Sequence, residues 1–137
     1  MNRFRVVQAT LERELAKPYA YGDPARSDCF MMGCALVDAL EGRSTVRAYA
    51  GTYKTLPGAQ KALRKRGFSS LTDFWTTELG RPPVAPAEAQ FGDLVILKLD
   101  DGAEHVAICL GTRFRTKTPD GPTDHALADV VAAFHIG

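Results

Sequence analysis

The sequence predicts an α+β domain in which N-terminal helices pack on a C-terminal antiparallel β-sheet. Three observations carry this reading. Apolar residues in the first half recur at helical spacing, the second half changes to short β-branched or alternating runs, and a Pro-rich stretch, "GRPPVAPAEAQFGD", separates the two regimes. A length of 137 residues suits one ordinary domain, so residues 1–137 are read as a single unit, and no internal repeat is visible.

Phe4, Val7, Leu11 and Leu15 recur among charged residues and predict a helix from Asn2 to Ala16, stopped by Pro18. "PYAYGDPARSD" reads as loop by its Pro, Gly, Asp and Ser content. Asp28 then stands where an N-cap belongs, and Cys29 to Glu41 is helical, with Phe30, Leu36, Val37 and Leu40 as apolar contacts and Gly42 as C-terminal cap. Thr55 to Leu79 reads as two further helices. Pro57 suits a first helical position, Gly67 and Phe68 break the run, and Ser70 with Asp73 makes a capping box. "DLVILKL", "HVAICLG" and "RFRTKT", separated by "DDGAE" and Thr112, predict consecutive antiparallel strands. A last helical turn around "TDHALADV" then leads into a final strand, "VVAAFHI".

Composition narrows the function classes. With 45% hydrophobic and 24% charged residues the chain is globular, and a net charge of +1 gives no field that would gather nucleic acid. The basic run "KALRKR", Lys61 to Arg66, fits a solvated helix end, where cations suit the dipole. "MNRFRVVQATLEREL" lacks the apolar run of a signal peptide, and no stretch approaches the roughly 20 apolar residues of a membrane span. Synthesis in the cytoplasm, without a signal peptide or a membrane span, is the expectation. Three cysteines cannot all pair, so Cys29, Cys34 and Cys109 are expected as free thiols. Neither they nor His105, His125 and His135 offer zinc-ligand spacing, so no metal and no cofactor is expected.

Cys29 carries the chemical interest. A thiol opening a helix meets unpaired N–H groups and the positive end of the macrodipole, which favour thiolate and a pKa below the roughly 8.5 of a free cysteine. The Cys29 amide would also supply half of an oxyanion hole. His105, beginning "HVAICLG", is the candidate base, its imidazole expected at the sheet edge facing the helix end while Val106, Ile108 and Leu110 alternate to the other face. Taken singly, a cysteine at a helix start is more often a small packed hydrophobe, and a histidine after a turn more often solvated. Cys34 and Cys109 lie in apolar runs and read as core, and His125 and His135 have no partner motif.

Together these residues carry a resemblance. "KPYAYGDPARSDC", an apolar helix, and later "GDLVILKLDDGAEHVAICLG" resemble the NlpC-type cysteine peptidases, papain-like enzymes that cut bacterial cell-wall stem peptides. The family pattern runs P-Y-x-W-G-G, D-C-S-G-L-V, G-D-L-V-F-F and H-V-G-I-Y-L-G. Pro18, Tyr19, Tyr21, Gly22, Asp28, Cys29, Gly92, Asp93, Leu94, Val95, His105, Val106, Ile108 and Gly111 match it in order, over a span from Asn2 to about Thr118. The resemblance implies a papain-like fold, Cys29 as nucleophile, His105 as base, and Tyr19, Tyr21 and Asp28 on the substrate side. The family's third polar residue, often His, falls in "RFRTKT", where Thr116 aligns best and Thr118 shares its face; a backbone carbonyl or a water are the alternatives. Phe30 and Met31 replace the family's Ser and Gly, so the cleft floor is expected to be bulkier and more apolar.

The implied substrate is the peptidoglycan stem peptide. A compact domain of this kind without an export signal resembles the cell-wall peptidases of phage and gene-transfer-agent tails, which implies a place on a tail particle beside other tail-tip proteins. Two rival readings are an inactive structural component of such a tail tip, and a cytoplasmic amidase or acyltransferase using the same dyad.

Overall fold

The computed structural model describes residues 2–23 and 25–137; Pro24, within the predicted loop, and Met1 lie outside them. Five α-helices come first: α1 (Arg3–Ala16), α2 (Cys29–Glu41), α3 (Thr45–Tyr49), α4 (Leu56–Lys65) and α5 (Leu71–Leu79). Five strands follow: β1 (Leu94–Lys98), β2 (Glu104–Cys109), β3 (Phe114–Thr118), β4 (Gly121–His125) and β5 (Val130–Phe134). They form one sheet in the order β4-β3-β2-β1-β5, with antiparallel neighbours throughout. The chain is thus α+β, helices before strands. No described helix is long and apolar enough to cross a membrane.

Local chemistry sets the helix ends. Asn2, Asp28, Thr55 and Ser70 each accept a hydrogen bond from a first-turn amide, satisfying donors that a helix start leaves open. Gly42 ends α2 in the left-handed conformation. Helix α3 has no counterpart among the predicted elements, because its anchor lies elsewhere in the chain. The Asp38 carboxylate on α2 accepts from the Thr45 amide (2.8 Å), the Thr45 hydroxyl (2.6 Å) and the Val46 amide (3.0 Å).

The helical turn expected within "TDHALADV" is present and leads into β5, but the stretch is not helical throughout. Its first part lies in strand β4, and only Leu127–Asp129 makes a 3-10 turn. Cross-strand contacts override the local pattern: Arg115 Nε donates to Asp124 (2.8 Å), and the Thr118 hydroxyl donates to the Gly121 carbonyl (2.8 Å).

The sheet is buried on both faces. Leu94, Ile96, Val106, Ala132 and Phe134 pack with Cys34 and Val37 of α2 and with Phe74 and Trp75 of α5. Val95, Leu97, Ala107, Cys109 and Ala133 form a second cluster. Ile108 packs with Met32 and Leu36 of α2 and with Val7 and Leu11 of α1. Val106 and Ile108 therefore face the helices, correcting the predicted alternation of β2. Gly33 is the physical reason, since the helix comes so close to the strand there that a Cβ would lie 2.6 Å from Val106 Cγ1 and 3.2 Å from Leu94 Cδ1.

The end of the chain is tied to the start of the sheet by Asp93, which is 1% exposed. Its carboxylate accepts from the Gln90 amide (2.8 Å), the Ile136 amide (3.1 Å) and Arg3 Nη2 (3.1 Å), and lies 2.7 Å from His135 Nδ1. His135, without a partner motif in the sequence, thus has a structural partner.

Gly33 sets two effects against each other. Alanine gains about 1 kcal/mol of helix propensity, but overpacking against a β-branched strand residue costs about 1–3 kcal/mol. Gly33→Ala is expected to lower stability by about 1 kcal/mol in urea denaturation. An increase in stability would contradict the close contact.

Candidate functional site

The loop before α2 is shaped by one carboxylate. Asp28, 2% exposed, accepts from the Met31 amide through Oδ1 (2.7 Å) and through Oδ2 from the Gly22 amide (3.1 Å) and the Tyr53 hydroxyl (2.6 Å). Gly22 has φ +70°, and a Cβ there would lie 2.2 Å from the Tyr53 carbonyl oxygen. Only glycine fits this approach. Its own carbonyl accepts from the Gly51 amide (2.7 Å), so the loops on either side of α2 and α3 are stitched together.

Cys29 is thereby fixed as the first residue of α2, partly buried, at the wall of a cavity of about 630 Å³. Tyr19, Tyr21, Asp28 and His105 line the same cavity. Tyr19 and Tyr21 meet edge to face with centroids 5.2 Å apart, and Tyr19 is bridged to Ser27, just ahead of the helix. Phe30, which borders the cavity, packs against Tyr49, Tyr53, Phe74 and Trp75 at centroid distances of 5.4–6.0 Å. The floor is apolar and aromatic.

This environment reverses the expectation for the thiol. Burial pushes Cys29 up to about 12, and the neighbouring Asp28 charge adds to the effect. The amides of Val106 and Phe30 and the Thr116 hydroxyl near the sulfur pull the other way without prevailing. Desolvation outweighs the helix end, because removing an anion from water costs more than one helical turn of amides returns. Burial likewise raises the Asp28 carboxyl despite its hydrogen bonds, and raises the Tyr19 phenol.

His105, near the start of β2, pairs across the sheet with Leu97, and by the alternation of the strand it leaves the sheet on the face opposite Val106, not on the face toward the end of α2 as expected. Among the described residues its ring bonds to Asp101 and not to Cys29: Nε2 lies 3.2 and 3.4 Å from the two carboxylate oxygens. The Ala103 amide first, and His105 after it, hold the Asp101 carboxyl below its usual range. An ionised carboxylate only accepts, so Nε2 carries a proton, and in the neutral ring Nδ1 is the nitrogen left with the lone pair. Thr116 stands elsewhere than the resemblance implies. It is fully buried, and its hydroxyl donates to the Val106 carbonyl (2.6 Å), beside Cys29 rather than on the His105 ring. Lys117 Nζ donates to the carbonyls of Glu14 (2.7 Å) and Lys17 (2.5 Å), closing the end of α1. Asp101 is the residue that sequence reasoning missed. Its signal, an aspartate four residues ahead of the histidine across "DDGAE", is meaningful only once the hairpin folds.

Removing the Asp28 carboxylate strips the cap of α2 and leaves the Tyr53 hydroxyl buried without its acceptor. Asp28→Ala is expected to cost about 2–4 kcal/mol in chemical denaturation. Because folding raises the Asp28 pKa, its contribution is complete below the unfolded value of about 3.9 and is lost as pH rises through the folded value. Stability relative to Asp28→Asn should therefore fall as pH rises above about 4, and a rise would contradict the burial argument.

Among curated proteins, none matches this chain. A family model described as a domain of unknown function, DUF6950, matches residues 2–136. That span takes in every helix and strand and both Cys29 and His105, and the chain belongs to the DUF6950 family.

Proposed function

We propose that this protein is a cysteine hydrolase of papain-like fold, in which Cys29 is the acyl-accepting nucleophile, His105 the general base and Asp101 the residue that positions His105. The observation that carries the reading is the common cavity of Cys29 and His105, with the His105 ring held through Nε2 so that Nδ1 is the basic nitrogen. The order of motifs that resembles NlpC-type peptidases supports the same pair.

The chemistry follows from the resting states. The thiol is neutral, so attack requires a proton to leave Sγ for His105 Nδ1 as a substrate fills the cavity and closes the gap. The sulfur adds to the carbonyl carbon. The Cys29 amide, at a first helical position without an intrahelical acceptor, faces the developing oxyanion. His105 then returns its proton to the leaving nitrogen or oxygen as the C–N or C–O bond breaks, giving a thioester. Next it takes a proton from a water that adds to the thioester carbonyl, the C–S bond breaks to release the acid, and the proton passes from His105 back to Sγ. Asp101 stabilises the imidazolium in both halves. The substrate implied by the resemblance is the cell-wall stem peptide, with a phage-like tail as the carrier.

A second reading keeps the fold without the activity, as a structural component of a tail tip. It is favoured by the thiol raised to about 12 and by the lack of a Cys29–His105 hydrogen bond among the described residues.

Turnover of muropeptides and of p-nitrophenyl esters separates the two. Cys29→Ala is expected to abolish turnover, and His105→Ala to lower kcat by about 10²–10⁴-fold. Asp101→Asn should lower kcat by less and move the acidic limb of the pH profile downwards, because the imidazolium loses its anion. Equal turnover by parent and Cys29→Ala, or none by the parent on either substrate, would leave the structural reading in place.

A further inference from the structure

The proposed chemistry uses one part of the cavity lining and leaves another wall without a task. That wall is α4. Leu56, Ala59 and Leu63 recur on it at helical spacing and all line the Cys29 cavity, yet none of the ten residues of α4 is buried. Leu56 is 37% exposed. A helix this short does not hold together in water by itself, and an apolar stripe ordinarily secures such a helix by packing on a core. Here Leu63 packs, partly buried, against the cluster of Phe74 and Trp75, while the rest of the stripe borders open space that Phe30, Tyr21 and Tyr53 also line. At 1.5 Å of rise per residue, the wall from Leu56 to Leu63 is about 10 Å long. A volume of about 630 Å³ lies within the range of small-molecule sites.

We propose that this wall is an acyl-chain subsite: the cavity binds a ligand with a medium-length aliphatic chain lying along Leu56, Ala59 and Leu63, its carbonyl directed to Cys29. Binding buries the stripe and fastens α4. Only the placement of the carbonyl rests on the hydrolase reading; the seating of the chain does not. Leu56, Ala59 and Leu63 present apolar surface that an aliphatic chain covers, while Gln60 and Arg64 of α4 border the same cavity and suit a polar end of the ligand.

The test uses the full chain carrying Cys29→Ser, titrated with dansyl-labelled undecanoic acid and followed by fluorescence. The expected result is saturable binding, displaced by decanoate and not by acetate, with slower amide exchange in α4 when saturated. Leu56→Asp and Leu63→Asp, each with an unchanged far-ultraviolet circular dichroism spectrum, should weaken binding at least about tenfold. Absence of saturable binding overturns the subsite, as does binding that Leu63→Asp leaves intact. Displacement by a leucine-rich peptide but not by decanoate also overturns it and assigns the wall to a protein partner. Turnover is read separately in the parent with p-nitrophenyl acetate and octanoate. Saturable binding of the dansyl probe without turnover of either ester refutes the hydrolase reading and upholds the subsite. Ester turnover without that binding does the reverse.

Discussion

Asp28 accepts hydrogen bonds from the Met31 amide, the Gly22 amide and the Tyr53 hydroxyl, and each fixes a different part of the molecule. The first starts α2 and so sets where Cys29 stands. The second holds the left-handed turn at Gly22 against the Tyr53 backbone, and the third anchors a ring that lines the cavity. A buried carboxyl with three donors is tolerable where an unsatisfied one would not be. Its proximity also has a cost for the thiol next to it, since a negative neighbour disfavours a second negative charge.

That cost, added to burial, decides the kind of chemistry open to the site. A preformed thiolate needs water or cations to stabilise it, and Phe30, Tyr19 and Tyr53, which line the cavity with Cys29, carry no positive charge. The proposal therefore places proton transfer in the encounter with substrate, with His105 as acceptor and Asp101 behind it. The same apolar surroundings that keep the sulfur neutral would hold an aliphatic chain, so the resting state of Cys29 and the lining of α4 are two effects of one cavity.

Helix ends are legible where caps act within three or four residues: Asp28 and Ser70 are read as caps from the sequence, and Asn2 and Thr55, read only as the first residues of helical spans, cap their helices too. Helix α3 was not legible, since Asp38 supports it from the preceding helix. Strand β4 was not either. "GPTDH" has no apolar alternation, lies at the sheet edge and owes its state to pairing with β3. The facing of β2 was misjudged for a steric reason, because Gly33 admits Val106 where a larger residue would have kept the helix away. Cys29, His105, Tyr19 and Tyr21 line one cavity, whereas Thr116 lies beside the sulfur and the histidine's partner comes from a turn.

The claim on which the account turns is that Cys29 rests as a neutral thiol and is deprotonated only in the presence of substrate. The most direct measurement is the pH dependence of its alkylation by iodoacetamide in the parent and in His105→Ala, with the buried Cys34 and Cys109 as internal controls. The account predicts a midpoint above the roughly 8.5 of an ordinary cysteine, unmoved by the substitution. A midpoint below that value, raised by His105→Ala, would reveal a standing thiolate–imidazolium pair and contradict it.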